Sequence, residues 1–274
     1  MSDFAGNSPL GKTIHGSDVY APELLFPIAR SEARAEFLDP DSALPFTGID
    51  LWTAFELSWL NASGKPEAGV AEFELPFDSP SLVESKSIKL YLNSFNFTRI
   101  ASKDELTQIL ASDLSQAAGA PVKVRIYALQ EYAALGVASL PGPCLDDLDI
   151  AVDSFEVDSG LLSAAGEEIH EQVYTNLFRS CCPVTGQPDW ASVYVDYRGP
   201  AIDHKKLLAY LLSFRQHEGF HEQCVERIFV DIQQHCKPLD LTVYARFMRR
   251  GGLDINPWRS SGAAHCGHWR LERQ

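Results

Sequence analysis

The chain has 274 residues, 45% hydrophobic and 22% charged, enough for a sizeable core without disulfide or metal staples. Its formal net charge of −14 repels phosphate backbones and excludes a general nucleic-acid binder, while leaving room for a local basic pocket for a phosphorylated ligand. No apolar run reaches the roughly 18 residues needed to cross a bilayer. Met1 to Gly11 is too polar for a secretory signal, so the cytoplasm is the expected compartment, with the six scattered cysteines reduced.

Met1 to Asp18 reads as a polar arm, and Ser31 to Phe37 as a short helix. Phe46 to Leu60 is rich in aromatic residues and partly alternating, which predicts a strand. Asn61 to Pro66 is a turn, and Val70 to Leu75 is the return strand, ended by Pro76 and Pro80. Ile88, Tyr91, Leu92 and Phe95 recur at helical spacing after Glu84. A second helix runs from Ser102 to Ala118. Ser102 caps it, Glu105 completes a capping box, and Leu106, Ile109, Leu110 and Leu114 form its stripe. Pro121 to Leu129 alternates as a third strand.

Pro141 to Ser163 is acidic and opens on Pro141-Gly142-Pro143, so it reads as a connector. Within it Asp149 to Val157 is a candidate strand with Ile150, Val152 and Val157 inward. The order then repeats. Gln172 to Cys181 is a strand with Val173, Thr175, Leu177 and Arg179 on one side, and Trp190 to Tyr197 is its return. Asp203 to His217 and Phe220 to His235 are helices, and Leu241 to Met248 is a strand ended by Arg249-Arg250-Gly251-Gly252. Both halves read strand, strand, helix, helix, strand, which suggests a duplicated unit. The expected division is an arm at 1–45, a first half at 46–140, a connector at 141–168 and a second half at 169–274.

The chemistry concentrates at Cys181-Cys182-Pro183-Val184-Thr185-Gly186-Gln187-Pro188-Asp189-Trp190. Pro183, Gly186 and Pro188 stop any regular element, so a thiol and an acid are held on one turn. A reaction needing a nucleophile and a proton donor requires that pairing. Adjacent residues of an extended segment face opposite ways. Only one cysteine can therefore enter a pocket, and Cys182, at the mouth of the turn, is preferred over a packed Cys181. Arg179 or His221 is a candidate to lower the thiol pKa. An indole shielding Asp189 would raise the acid's pKa.

Phe220-His221-Glu222 opens a helix, where an acid is favoured by the macrodipole and a neutral His suits proton transfer. Glu84-Ser85-Lys86-Ser87-Ile88-Lys89 opens another, with hydroxyl and ammonium groups suited to phosphate. Arg249-Arg250-Gly251-Gly252 is a candidate anion clamp with close backbone approach. His265-Cys266-Gly267-His268 lacks a fourth ligand, so no metal is expected. No GxGxxG follows a strand, so a Rossmann site is unsupported.

Taken together, Glu84 to Tyr91, Cys182 to Asp189, His221-Glu222 and Arg250 to Pro257 resemble the 7-cyano-7-deazaguanine reductases, the NADPH-dependent nitrile reductases of queuosine biosynthesis, in their long two-half form. The Cys/His-bearing C-terminal tail is the one departure. The resemblance implies an α+β tunnelling fold (T-fold) of two tandem ββαα-type units, with antiparallel sheets and helices on one face, and a homodimer. It implies that Cys182 attacks the nitrile to give a thioimide, that Asp189 supplies a proton and that His221 assists. Val83, Glu84, Ser85, His221 and Glu222 would bind the deazaguanine. Ser85, Lys86, Arg250 and Gly251 would hold NADPH, two per turnover, with no metal. Two other readings compete with this one. A zinc-dependent cyclohydrolase-like enzyme would need metal, and a non-catalytic purine-binding paralogue would bind the nitrile reversibly.

Overall fold

The computed structural model describes residues 17–262, 267 and 269–274. The polar arm up to His15 and the tail residues His265, Cys266 and His268 lie outside the described residues. Two compact units are present, the first made of 1–40, 50–136 and 249–254, the second of 41–49, 137–248 and 255–274. Among the described residues no helix is long and apolar enough to cross a membrane.

The first unit carries β1 (Pro27–Ala29), α1 (Arg30–Arg34), most of β2 (Thr47–Leu60), β3 (Pro66–Pro76), β4 (Ser81–Val83), α2 (Ser85–Asn93), α3 (Lys103–Ala118), β5 (Lys123–Tyr127) and α4 (Leu129–Ala133). β3 lies between β2 and β5, antiparallel to β5 with Val70 opposite Tyr127. β1 and β4 form a separate antiparallel pair. Leu106, Leu110, Leu114 and Ala118 make the buried stripe of α3, and Ile109 is only half-buried. Ser102 Oγ accepts from the Glu105 N–H, as a cap should, but Glu105 Oε2 accepts from the Ala101 N–H, one residue before the expected partner.

The second unit carries β6 (Ala164–Cys181), β7 (Pro188–Ile202), α5 (His204–Ser213), α6 (His221–Cys236), β8 (Asp240–Phe247) and most of β9 (Leu253–Ser260). The antiparallel order is β9, β8, β7, β6. Val225, Ile228, Phe229 and Ile232 of α6 are buried as the spacing predicts. The candidate strand at Asp149 to Val157 does not form. That acidic segment is irregular, its apolar residues at most half-buried, so no pleated face closes over a core.

Two further departures are informative. The first is β9, which the sequence does not announce as a strand because polar residues and Pro257 interrupt any alternation. All eight of its residues are buried. Several of its polar side chains are bonded internally: Asn256 Oδ1 accepts from the Phe247 N–H, and Arg259 pairs with Glu226 at 2.7 Å. The second is in β6. Thr175 pairs with Val193 and Phe178 with Ala191, so Asn176 and Leu177 together oppose Ser192. This β-bulge reverses the alternation. Leu177, expected on one side with Val173 and Thr175, is 40% exposed while those two are fully buried, and Phe178 is fully buried instead.

Glu226→Ala should cost about 3–5 kcal/mol in chemical denaturation, because it leaves the Arg259 guanidinium buried without its carboxylate.

Candidate active site

The bulge decides what the end of β6 presents. Beyond it, Phe178 and Ser180 point to the interior, and both are fully buried. Ser180 stands opposite Asp189 on β7. Directly paired residues share a face, so Ser180 and Asp189 are on the same side; Cys182 follows the last paired residue of β6, and continuing the alternation past Cys181 puts it on that side too. Arg179 and Cys181 are on the other. There Arg179 Nη1 donates to the Arg215 carbonyl at 2.5 Å, and Cys181 Sγ contacts that same oxygen at 3.8 Å. Trp190, opposite Arg179, shares this second face, with the Arg179 and Arg215 guanidiniums over its ring at 5.6 and 5.3 Å. Two expectations are thereby corrected. Arg179 accompanies Cys181 rather than Cys182, and the indole points away from Asp189 because neighbours on a strand face opposite ways.

The turn is closed on itself. The Cys182 N–H donates to the Gln187 carbonyl and the Gly186 N–H to the Cys182 carbonyl, both at 2.9 Å. Gly186 takes φ +64, which suits glycine. The segment before α6 grips the cysteine pair by its backbone: the Cys181 N–H donates to the His217 carbonyl at 2.8 Å, and the Gly219 N–H to the Cys181 carbonyl at 3.1 Å.

His221, the first residue of α6, approaches Asp189 with Nε2 3.5 Å from Oδ2. Its Nδ1 lies 3.2 Å from the Ile255 carbonyl. A carbonyl only accepts, so Nδ1 carries hydrogen and Nε2 is left facing the carboxyl group. The ring stacks on Phe247 with centroids 3.7 Å apart and planes 6° apart. Phe178 meets the edge of Phe247 at 6.0 Å, so the residue that the bulge turns inward supports the platform under His221. Asp189 and Glu222 are each 3% exposed. Near both is Cys224, a thiol pushed up to about 12 by burial, with the Asp189 and Glu222 charges adding to the effect.

In the first unit Glu84 is the N-cap of α2 and is fully buried. Its Oε1 accepts from the Lys86 N–H at 2.6 Å and Oε2 from the Ser87 N–H at 2.8 Å. Burial raises its pKa against those hydrogen bonds and the Lys89 charge. The amide donors expected to meet a phosphate at this helix start are therefore occupied by Glu84's own carboxyl group. Val83 is fully buried beside it. Arg249 lies over the Phe55 ring at 4.6 Å. At Gly251, φ +60, an added Cβ would come within 3.4 Å of the Lys89 side chain. Lys89 thus joins Arg250 and Gly251, although the sequence marks it only as part of a helix.

Cys182, Asp189, His221 and Glu222 therefore belong to the second unit, and Val83, Glu84, Ser85, Lys86, Arg250 and Gly251 to the first. The Phe247 platform, the Ile255 carbonyl and Ser180 carry no sequence signal, since each is an ordinary strand residue until register is known. Among the described residues no group of three or more His, Cys, Asp or Glu could hold a metal ion.

Residues 17–126 match the family model described as "Nitrile reductase, 7-cyano-7-deazaguanine-reductase N-term", and residues 188–265 match "QueF-like protein". The chain is 56% identical over 270 residues to the NADPH-dependent 7-cyano-7-deazaguanine reductase of Chromobacterium violaceum, covering 98% of this chain and 97% of that one. It is 52% identical over 268 residues to the enzyme of the same name from Desulfotalea psychrophila, covering 97% of each. Among solved structures, the archaeosine synthase QueF-Like in the apo form matches with TM-score 0.31 and 16% identity, covering 36% of this chain and 99% of that one.

His217 gives the site a pH signature. Burial first, and the Arg227 charge second, push it down from 6.5 to about 4. Between those values unfolding takes up a proton, so stability should fall as pH drops through that window, with the loss complete below its lower edge. His217→Asn keeps the carbonyl that receives the Cys181 N–H, and it should flatten the slope of unfolding free energy against pH there.

Proposed function

The chain belongs to the family of NADPH-dependent 7-cyano-7-deazaguanine reductases, and from that premise we propose that it reduces the nitrile of 7-cyano-7-deazaguanine to the aminomethyl base in queuosine biosynthesis. Two NADPH are consumed as co-substrate. The residue-level reading is supported by Ser180 standing opposite Asp189, which puts Cys181 on the other face, and by His221 lying against Asp189.

A nitrile accepts hydride poorly, and covalent activation divides the difficult step. Cys182 sulfur bonds to the nitrile carbon as its S–H bond gives up the proton to Asp189, and one π pair moves to nitrogen, which takes a proton from that carboxyl group. The thioimide so formed accepts hydride at carbon and a proton at nitrogen. The C–S bond of that adduct then breaks, returning the sulfur to Cys182 and releasing an imine. A second hydride and proton give the amine. His221, with Nε2 toward Asp189, assists the protonation of the later species.

Glu84 and Glu222, with Val83, Ser85 and His221, bind the base, since carboxylates suit its row of N–H donors. A carboxylate offers about four acceptor sites. Glu84's two backbone contacts therefore leave it able to receive a base N–H while it still caps α2. Ser85, Lys86, Arg250 and Gly251 hold NADPH. Their cationic groups and the open backbone at Gly251 support this, with Lys89 alongside.

The T-fold assignment rests on each unit bearing antiparallel strands with two longer helices; the proposed halves, 46–140 and 169–274 joined by 141–168, follow the repeated order in the sequence rather than the interleaved units. The enzyme is a cytoplasmic homodimer that needs no metal and binds neither nucleic acid nor membrane directly.

Incubation with 7-cyano-7-deazaguanine without NADPH should add one base mass, mapping to Cys182 and absent from Cys182→Ala. Asp189→Asn should still bind the base but form the adduct about 100-fold more slowly. An adduct on Cys181, or undiminished adduct formation in Asp189→Asn, would overturn the assignment concerned.

A further inference from the structure

We infer that Asp146 is a positioning residue for the reactive thiol: by holding the β6 bulge at Asn176 and Leu177 it fixes which of the adjacent cysteines faces Asp189. This rests on the assignment of Cys182 as nucleophile and adds to it a residue from the acidic connector.

A bulge leaves backbone groups that the ladder no longer pairs, and here the Asn176 N–H, the Leu177 N–H and the Asn176 carbonyl all find side-chain partners. The Asn176 N–H donates to Asp146 Oδ1 at 3.0 Å. The Thr175 hydroxyl donates to the same oxygen at 2.6 Å and accepts from the Leu177 N–H at 3.1 Å. Asn176 Nδ2 donates to Asp146 Oδ2 at 3.0 Å, and Asn176 Oδ1 accepts from Ser192 Oγ, on the residue opposite the bulge, at 2.7 Å. The Asn176 carbonyl accepts from Arg273 Nη2 at 2.6 Å. One carboxylate therefore contacts both residues at the start of the irregularity. Burial works to raise the pKa of Asp146, but the hydrogen bonds from Thr175 and Asn176 outweigh it and leave the carboxyl group below its ordinary value, so it acts as the anion.

Backbone contacts deliver Asp146 to this place. The Tyr174 N–H donates to the Pro143 carbonyl at 3.2 Å, and the Leu145 N–H to the Tyr174 carbonyl at 2.8 Å. The approach is so close that a Cβ at Gly142, φ +85, would fall 1.9 Å from the Gln172 carbonyl oxygen. Pro141-Gly142-Pro143, which the sequence offers only as a linker, is what lets the connector lie against β6.

Without the extra residue, the pairing of Thr175 with Val193 would continue to put Arg179 opposite Asp189 and turn Leu177, Arg179 and Cys181 inward. With it, Ser180 stands opposite Asp189. The same shift brings Phe178 beneath Phe247, the platform of His221. Asp146 therefore acts on both the thiol and the imidazole without touching either.

The test compares the parent with Asp146→Ala and with Thr175→Val, which deletes a buried hydroxyl at nearly constant shape. Two quantities are read: the rate of the nitrile adduct at Cys182, and the ratio of Cys181 to Cys182 alkylation by iodoacetamide, mapped by peptide mass. The adduct should slow about 10- to 100-fold in Asp146→Ala, a loss typical of a nucleophile displaced by about an ångström. Thr175→Val should follow in the same direction to a smaller extent. Alkylation should shift toward Cys181 in both. A purely structural role would lower the unfolding midpoint and leave that ratio alone. The inference fails if folded Asp146→Ala keeps adduct rate and ratio within about twofold of the parent. If Asp146→Ala does not fold, Thr175→Val decides on the same criterion. A parent that gives no Cys182 adduct at all would refute the nucleophile assignment, and the alkylation ratio would still judge Asp146.

Discussion

A strand gives alternate residues to opposite faces, and the reactive end of the second unit depends on one interruption of that rule. Two adjacent cysteines have nearly the same composition, exposure and place in the chain, at 9% and 7% exposure for Cys181 and Cys182. Parity is what separates them. The single added residue in β6 sends Ser180 to the Asp189 side and leaves Arg179 and Cys181 with Arg215 and Trp190. The turn, the acid and the imidazole platform all inherit their orientation from that count.

The same economy governs buried polar groups. Arg259 and Glu226 lie in the interior of the second unit, and Arg259 also donates to the Ile49 and Trp258 carbonyls at 3.0 Å. In the first unit the Asp254 side chain accepts from the Thr53 N–H at 3.1 Å. Such residues would disqualify β9 as a strand if burial were judged by hydropathy alone. They are tolerated because each is bonded where it lies, and an unbonded one would cost about 1–3 kcal/mol.

Much of the architecture is legible in the sequence. The stripe of α3, the capping Ser102, the hydrophobic face of α6 and the β2–β3 hairpin follow from periodicity and turn residues. The motifs around Cys182, Asp189 and His221 point to the chemistry because their residue types are rare together. The rest is hidden for physical reasons. A bulge adds one residue without changing composition, so Leu177 and Phe178 exchange places unannounced. Phe247 and the Ile255 carbonyl matter only through register, which no local pattern encodes. Trp190 stands next to Asp189 in the sequence, yet adjacency on a strand turns the two side chains to opposite faces.

The clamped imidazole has a consequence for the traffic of protons. With Nδ1 at the Ile255 carbonyl and one face covered by Phe247, the ring is held with Nε2 toward Asp189. It has a single port, Nε2, and Asp189 stands at that port. On the proposed chemistry each base takes up two hydrides and at least as many protons, so a single doorway must be crossed repeatedly in one catalytic cycle. A fixed imidazole stands here in place of a freely tumbling one, and on the proposed chemistry every proton it helps to move passes that one nitrogen.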